Sequence, residues 1–306
     1  MNSTAAAGTI LVIPPYVLWP YIVGGAIALI ALFAARAAAL RSPKASAILA
    51  LMPLCLAAAF AAFGTEHLLL ADFIKTGVPN WIPWHLFWAY FIGIALLTAA
   101  VSIATKVQVR IAATLLGIML FIFVLTIHIP KVIAAPHDRI AWAVALRDTS
   151  FSGGALALAA IYTEKWRLRG THALVVLATF MIAIPAIVFG VEHLLHPEYL
   201  PGVPLGKLTP VWVPGRVIVG YLTGAILLVA GILLLIGQKT RQAATFLGAW
   251  LVLLVLFIYL PMVIAIPSAA EGGEKIEGVN YFFDTLLYSG AILALASALS
   301  GAPQKE

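Results

Sequence analysis

Two glutamate–histidine pairs stand out in an otherwise apolar chain: Glu66-His67 in FGTEHLL (63–69) and Glu192-His193 in FGVEHLL (189–195). Around them in sequence order come Trp84, His85, His128, Lys131, the Arg147-Asp148 doublet, Arg216 and Asp284. A carboxylate beside an imidazole is the equipment of acid–base chemistry, since both groups can hold and release protons near neutral pH. Metal binding is a weaker reading. The chain has no H-E-x-x-H and no histidine pair four apart, and His193/His196 are followed at once by Pro197. No metal site is assigned. A b-type haem would need an axial histidine over a large apolar pocket, and nothing in the spacing singles one out. No P-loop or strand-bounded G-x-G-x-x-G is present.

These residues must be carried by elements that lie in lipid. Of 306 residues, 63% are hydrophobic and 10% charged, and the mean hydropathy is +1.07. A soluble chain carries about 25% charged residues, so a water-soluble fold, disorder and a nucleic-acid partner are all excluded. The net charge of +6 comes from 18 lysines and arginines scattered through short loops, a topology signal and not a phosphate-binding patch. Cys55 is the only cysteine, which rules out an intrachain disulfide and a C-x-x-C redox pair. The N-terminal segment lacks the basic start of a cleavable signal peptide and is expected to be retained.

About 20 apolar residues cross the hydrocarbon core. That length predicts nine helices, near 16–38, 47–71, 85–105, 109–129, 140–162, 171–195, 214–236, 241–263 and 281–300. The fold class is an all-α integral membrane protein in contact with the lipid bilayer. Basic residues concentrate on one side (Arg36, Arg41, Lys44; Lys106, Arg110; Lys165, Arg167, Arg169; Lys239, Arg241; Lys305). The positive-inside rule makes that side cytoplasmic. In a bacterial inner membrane the N-terminus is then outside and the C-terminus inside.

The chain also contains itself twice. RIAATLLG (110–117) returns as RQAATFLG (241–248), an offset of 131, which also pairs Trp81-Ile82-Pro83 with Trp212-Val213-Pro214 and Pro130 with Pro261. The offset is 126 for the Glu-His motifs and 136 for Asp148-Thr149 against Asp284-Thr285. Residues 1–45 therefore read as an extra N-terminal helix, 46–168 as a first four-helix repeat and 169–306 as a second. Four spans per copy make the repeats parallel.

A helix ending in F-G-x-E-H-L, a loop with W-[IV]-P, a Y-x-x-G helix start and an R-x-A-A turn together resemble the DoxX family of four-helix membrane proteins. The chain is similar to a tandem DoxX protein over roughly residues 47–300. That resemblance implies left-handed four-helix bundles and, for the DoxD-like members, a subunit of a thiosulfate:quinone oxidoreductase.

Counting residues along the helices puts the acids and bases in one outer layer. Glu66 lies 20 residues beyond Ser46, roughly 30 Å along its helix. Glu66 is expected to turn inward toward Arg147 or His128, with His67 facing the groove or water. The second copy keeps Glu192, His193 and Asp284, but Tyr259 replaces His128 and Phe283 replaces Arg147. The reactive candidates are therefore Glu66, His67, His128, Arg147 and Asp148 of the first copy. Glu192, His193 and Asp284 are their structural counterparts, and His85 and Trp84 are candidate cofactor contacts. Such a set suits a quinone headgroup at the outer leaflet, better than a haem or a metal. With no electron carrier in the chain, other membrane subunits are implied as partners. The alternatives are a non-catalytic assembly or scaffold subunit, in which the same groups only fix helix register, and a small-solute transporter.

Overall fold

The computed structural model describes residues 14–41, 47–163, 169–265 and 272–299, and within them the chain is helical, with one isolated β-bridge between Tyr199 and Leu208. The long helices are α1 (Pro15–Arg41), α2 (Met52–Leu69, led by a 3-10 turn Leu49–Leu51) and α3 (His85–Thr105). Next, α4 runs Val109–Phe123, through a π-turn Val124–His128, into Ile129–Ala134. Then follow α5 (Arg139–Ile161), α6 (Arg169–Leu195) and α7 (Arg216–Leu235). Helix α8 repeats the broken form, Thr240–Leu254, π-turn Val255–Tyr259 and Leu260–Ala265, and α9 covers Gly272–Leu299.

Eight of these helices are long and apolar enough to cross a bilayer. The remaining one is α5, whose 23 residues include Arg139, Arg147 and Asp148. In hydrocarbon a helix satisfies its own backbone, which is why uninterrupted apolar runs settle into this form. Both π-turns lead into a proline, Pro130 and Pro261. Proline lacks the N–H that would continue the ladder, so the strain is taken up just before it.

The start of α9 differs from expectation. EGGEKIEG reads as a polar loop with helix from 281, yet the helix begins at Gly272. The two glycines are spent at its first residues, and the polar turns extend beyond the apolar span Gly278–Leu299. Asp284 is therefore the thirteenth residue of its helix, not an early one.

The packing order is a ring: α2 on α3, α3 on α4, α4 on α5, α5 on α6, α6 on α7, α7 on α8, α8 on α9, and α9 back on α2. Helices α5 and α9 also touch across the middle, and α1 lies outside against α2 and α3. The fourth helix of each four-helix stretch thus packs on the first helix of the other. The two four-helix stretches are thus joined at both ends of each. Small residues explain it. A Cβ on Gly154 of α5 would stand 2.2 Å from that of Ala291 on α9, one on Gly153 would stand 2.8 Å from Met181 on α6, and one on Gly290 would stand 2.9 Å from Cys55 on α2. Without a hydrophobic drive between helices in lipid, such close backbone approach supplies the contact energy.

Candidate functional site

Most of the acids and bases collect where α2 ends and α5 and α9 are in their first half. Arg147 on α5 is the hub. Its Nε donates to Asp148 Oδ1 at 2.8 Å, and its Nη1 donates to Asp284 Oδ2 on α9 at 2.8 Å. The other oxygen of Asp148 meets Nε2 of His128, the last residue of the α4 π-turn, at 2.8 Å. Asp148 and Asp284 are buried at 8% and 1% exposure. A single residue-to-residue chain of polar contacts therefore joins α4, α5 and α9.

Glu66 closes the set from α2. The amide of Asn280, with its nitrogen turned toward the carboxylate, donates to both oxygens at 3.2 and 2.9 Å. Glu66 also lies within the electrostatic reach of Arg147 and Asp284. The expected inward turn is what the geometry has, but the direct partner is Asn280 and not Arg147 or His128. A helix start at 281 would leave Asn280 in the loop, and the start at Gly272 puts it on the helix. It lies four residues before Asp284, on the same helical face.

Other candidates lie outside this cluster. The Nδ1 of His67 is 2.8 Å from the carbonyl of Phe63, one turn back, and its Cβ packs at the glycine of α3, Gly93. His67 therefore belongs to the α2–α3 seam and not to the groove or the water. Trp84 is 77% exposed, in a left-handed conformation (φ 59°) that turns the chain into α3. His85 is half-buried at the first position of that helix. Neither hydrogen-bonds to the cluster among the described residues.

The supposed structural counterparts are placed unequally. Asp284 is a member of the cluster through Arg147, so the two stretches share one site. Glu192 pairs with Arg139 of α5 at 3.3 Å, and Arg139 also donates to the carbonyl of Pro204 at 2.7 Å and lies 4.5 Å over the Tyr199 ring. Arg139 read as a loop charge in the sequence. Its signal was the spacing to Arg147, eight residues or about two turns, on one face of one helix. Asp138 starts that helix by accepting from the N–H groups of Ile140 and Ala141. His193 is fully buried, with Nε2 accepting from the N–H of Gly202 at 3.0 Å.

Chemically, Asp148 orients the His128 ring through Nε2. The ring's Nδ1 has no hydrogen-bond partner among the described residues. Asp148 and Asp284 share the Arg147 guanidinium, Asp148 alone meets the His128 imidazole, and Glu66 stands beside them on Asn280. Among the described residues no group of three or more His, Cys, Asp or Glu is arranged to hold a metal ion. The chain matches no protein-family model, no curated protein and no solved structure.

Proposed function

We propose that the protein is a nine-span membrane protein of DoxX type, one extra helix followed by two parallel four-helix repeats, in which α5 also crosses the bilayer. Supporting the repeat are paired local features 131 residues apart. These are the π-turns Val124–His128 and Val255–Tyr259, the left-handed residues Gln108 and Lys239 before α4 and α8, and Trp84 and Gly215 before α3 and α7. Glycines pair the same way, Gly64 meeting Gly93 and Gly190 meeting Gly224 at backbone distance. The basic loops support an outside N-terminus and a cytoplasmic C-terminus.

Within that frame the Arg147 cluster is an acid–base site at the outer leaflet for a quinone. The observation that carries this reading is the Asp148–His128 dyad, a carboxylate holding an imidazole by one nitrogen with the other nitrogen unengaged. A quinone supplies the two-electron acceptor, and its reduction takes two protons with the two electrons. The electrons come from a partner subunit bearing a redox centre. Asp148 fixes the His128 ring, His128 gives one proton to the quinone, Glu66, held by Asn280, gives the second, and water on the outer side reprotonates both. Arg147 keeps Asp148 and Asp284 in place without taking part in transfer.

A second reading is favoured by the same contacts. Arg139–Glu192, Arg147–Asp284, His128–Asp148 and Asn280–Glu66 each join two different helices, which suits an assembly subunit whose network only fixes register. Binding of a short-chain benzoquinone to the purified protein in nanodiscs, followed by tryptophan quenching, separates the two. The redox reading predicts saturable binding that Glu66→Gln weakens with elution and melting kept, and that His128→Phe weakens with elution kept and melting lowered only by the loss of one partner of Asp148. Absence of saturable binding, or equal binding by all three proteins, leaves the scaffold reading.

A further inference from the structure

The connection from α6 to α7 (residues 196–215) is five residues longer than the one from α2 to α3 (residues 70–84), and it folds back into the bundle. Leu200, Pro201, Gly202, Val203 and Pro204 are all buried. Four contacts pin this strap. Gly202 N–H donates to His193 at 3.0 Å, Tyr259 Oη donates to the Pro201 carbonyl at 2.8 Å, Arg139 donates to the Pro204 carbonyl at 2.7 Å, and Lys207 N–H donates to Tyr281 Oη at 3.0 Å. Gly202, at φ 123°, lies against Thr285 and Leu251. The strap fills its end of the second stretch with the chain's own backbone.

The first stretch has the receiving residues without the strap. Leu120, His128 and Thr149 stand where the offsets of 131 and 136 place the counterparts of Leu251, Tyr259 and Thr285, while His67, the counterpart of His193, is turned to the Phe63 carbonyl in the α2–α3 seam. Yet residues 72–84 run over the surface. Phe73 is 70% exposed, and a Cβ on Gly77 would meet nothing within 4 Å. Both connections contain Gly-Val-Pro, at 77–79 and 202–204. In the second it is inside the bundle, and in the first Gly77 is exposed and open. The difference falls where Tyr259 is replaced by His128, the residue held by Asp148.

We infer that the first stretch binds an external ligand in the space that Pro201–Val203 fill in the second: an apolar, planar molecule with a carbonyl oxygen, which accepts from the Nδ1–H of the doubly protonated His128 ring, whose Nε2–H is given to Asp148, as the Pro201 carbonyl accepts from Tyr259. The inference rests on the quinone and repeat readings above and extends them. It locates the ligand, names His128 as the group that recognises it, and limits the chain to one ligand because the strap closes the second place.

The test uses the full chain in nanodiscs with an azido-benzoquinone photoprobe, peptide mapping of the label, and a parallel titration with the unmodified short-chain quinone. The expected result is one probe per chain, on peptides covering residues 120–128 and 145–149, competed away by the unmodified quinone. His128→Phe is expected to weaken binding about tenfold or more, as loss of a hydrogen bond to a ring that can carry charge would. Label on residues 196–209 or 251–259, two labels per chain, competable label elsewhere, or binding without competable label at either first-stretch peptide overturns the inference and leaves the quinone function standing. Absence of quinone binding in the titration removes both.

Discussion

Arg147 satisfies two carboxylates with two different nitrogens, so its removal leaves two buried negative groups facing each other. Breaking a buried ion pair from one side costs about 3–5 kcal/mol. Arg147→Gln is expected to lower thermal stability in detergent by that order, and Arg147→Lys to recover only part of it. A single ammonium cannot hold Asp148 and Asp284 with the forked geometry of a guanidinium. A melt of Arg147→Gln equal to wild type would mean that the cluster does not hold α5 to α9. Glu66→Gln behaves differently, because a glutamine oxygen still accepts from Asn280. Its melt should stay within about 1 kcal/mol of wild type, the net worth of one hydrogen bond, while the acid is gone. These two variants separate a group that holds the structure from one that carries a proton.

At the scale of helices, the seams are set by glycines. A methyl group at Gly154 would meet the Cβ and Cα of Ala291 at 2.2 and 2.5 Å, both anchored to backbone. Gly154→Ala must push α5 from α9, at a cost of about 1–3 kcal/mol for overpacking. Gly25→Ala in α1 meets nothing within 4 Å and should be neutral or stabilising by about 0.5–1 kcal/mol. Detergent melts of the pair check this, and equal effects would contradict the seam account. The helices themselves were legible in the sequence, because spans of about 20 apolar residues have one solution in lipid. Their polar ends were less so. Asn280 and Arg139 fall outside the apolar spans, because charge and glycine near a span end look alike whether the helix stops or projects. The grouping of Glu66, His128, Arg147 and Asp148 followed from counting depth, but the partner choice did not. Which of two neighbours on a helix faces which seam depends on the ring order α5–α6 and α9–α2, and no periodicity encodes that. The strap was invisible for the same reason: its five extra residues read only as loop length.

For the whole molecule, the proposed topology puts Trp81 outside and Gln108 in the cytoplasm, and both positions are exposed. Cys55, the single cysteine, is 1% exposed and should give no background with a maleimide. Trp81→Cys is expected to label from the periplasmic side of intact cells, and Gln108→Cys only after the membrane is opened. Labelling of both from one side would refute nine crossings in this direction. Two stretches that exchange their fourth helices also predict that neither folds alone. Residues 46–168 lack α9, which carries both Asp284 and Asn280. Expressed separately, that stretch should aggregate on extraction, and a monodisperse fragment would contradict the interlocked ring.

The central claim is that a shared acid–base cluster serves a quinone held in the first stretch. Native mass spectrometry of the protein gently extracted from its own membrane tests it most directly. One retained mass per chain matching a quinone is expected, absent from His128→Phe prepared in the same way. A bare chain, a haem or metal mass in its place, or a quinone retained equally by the variant would contradict it.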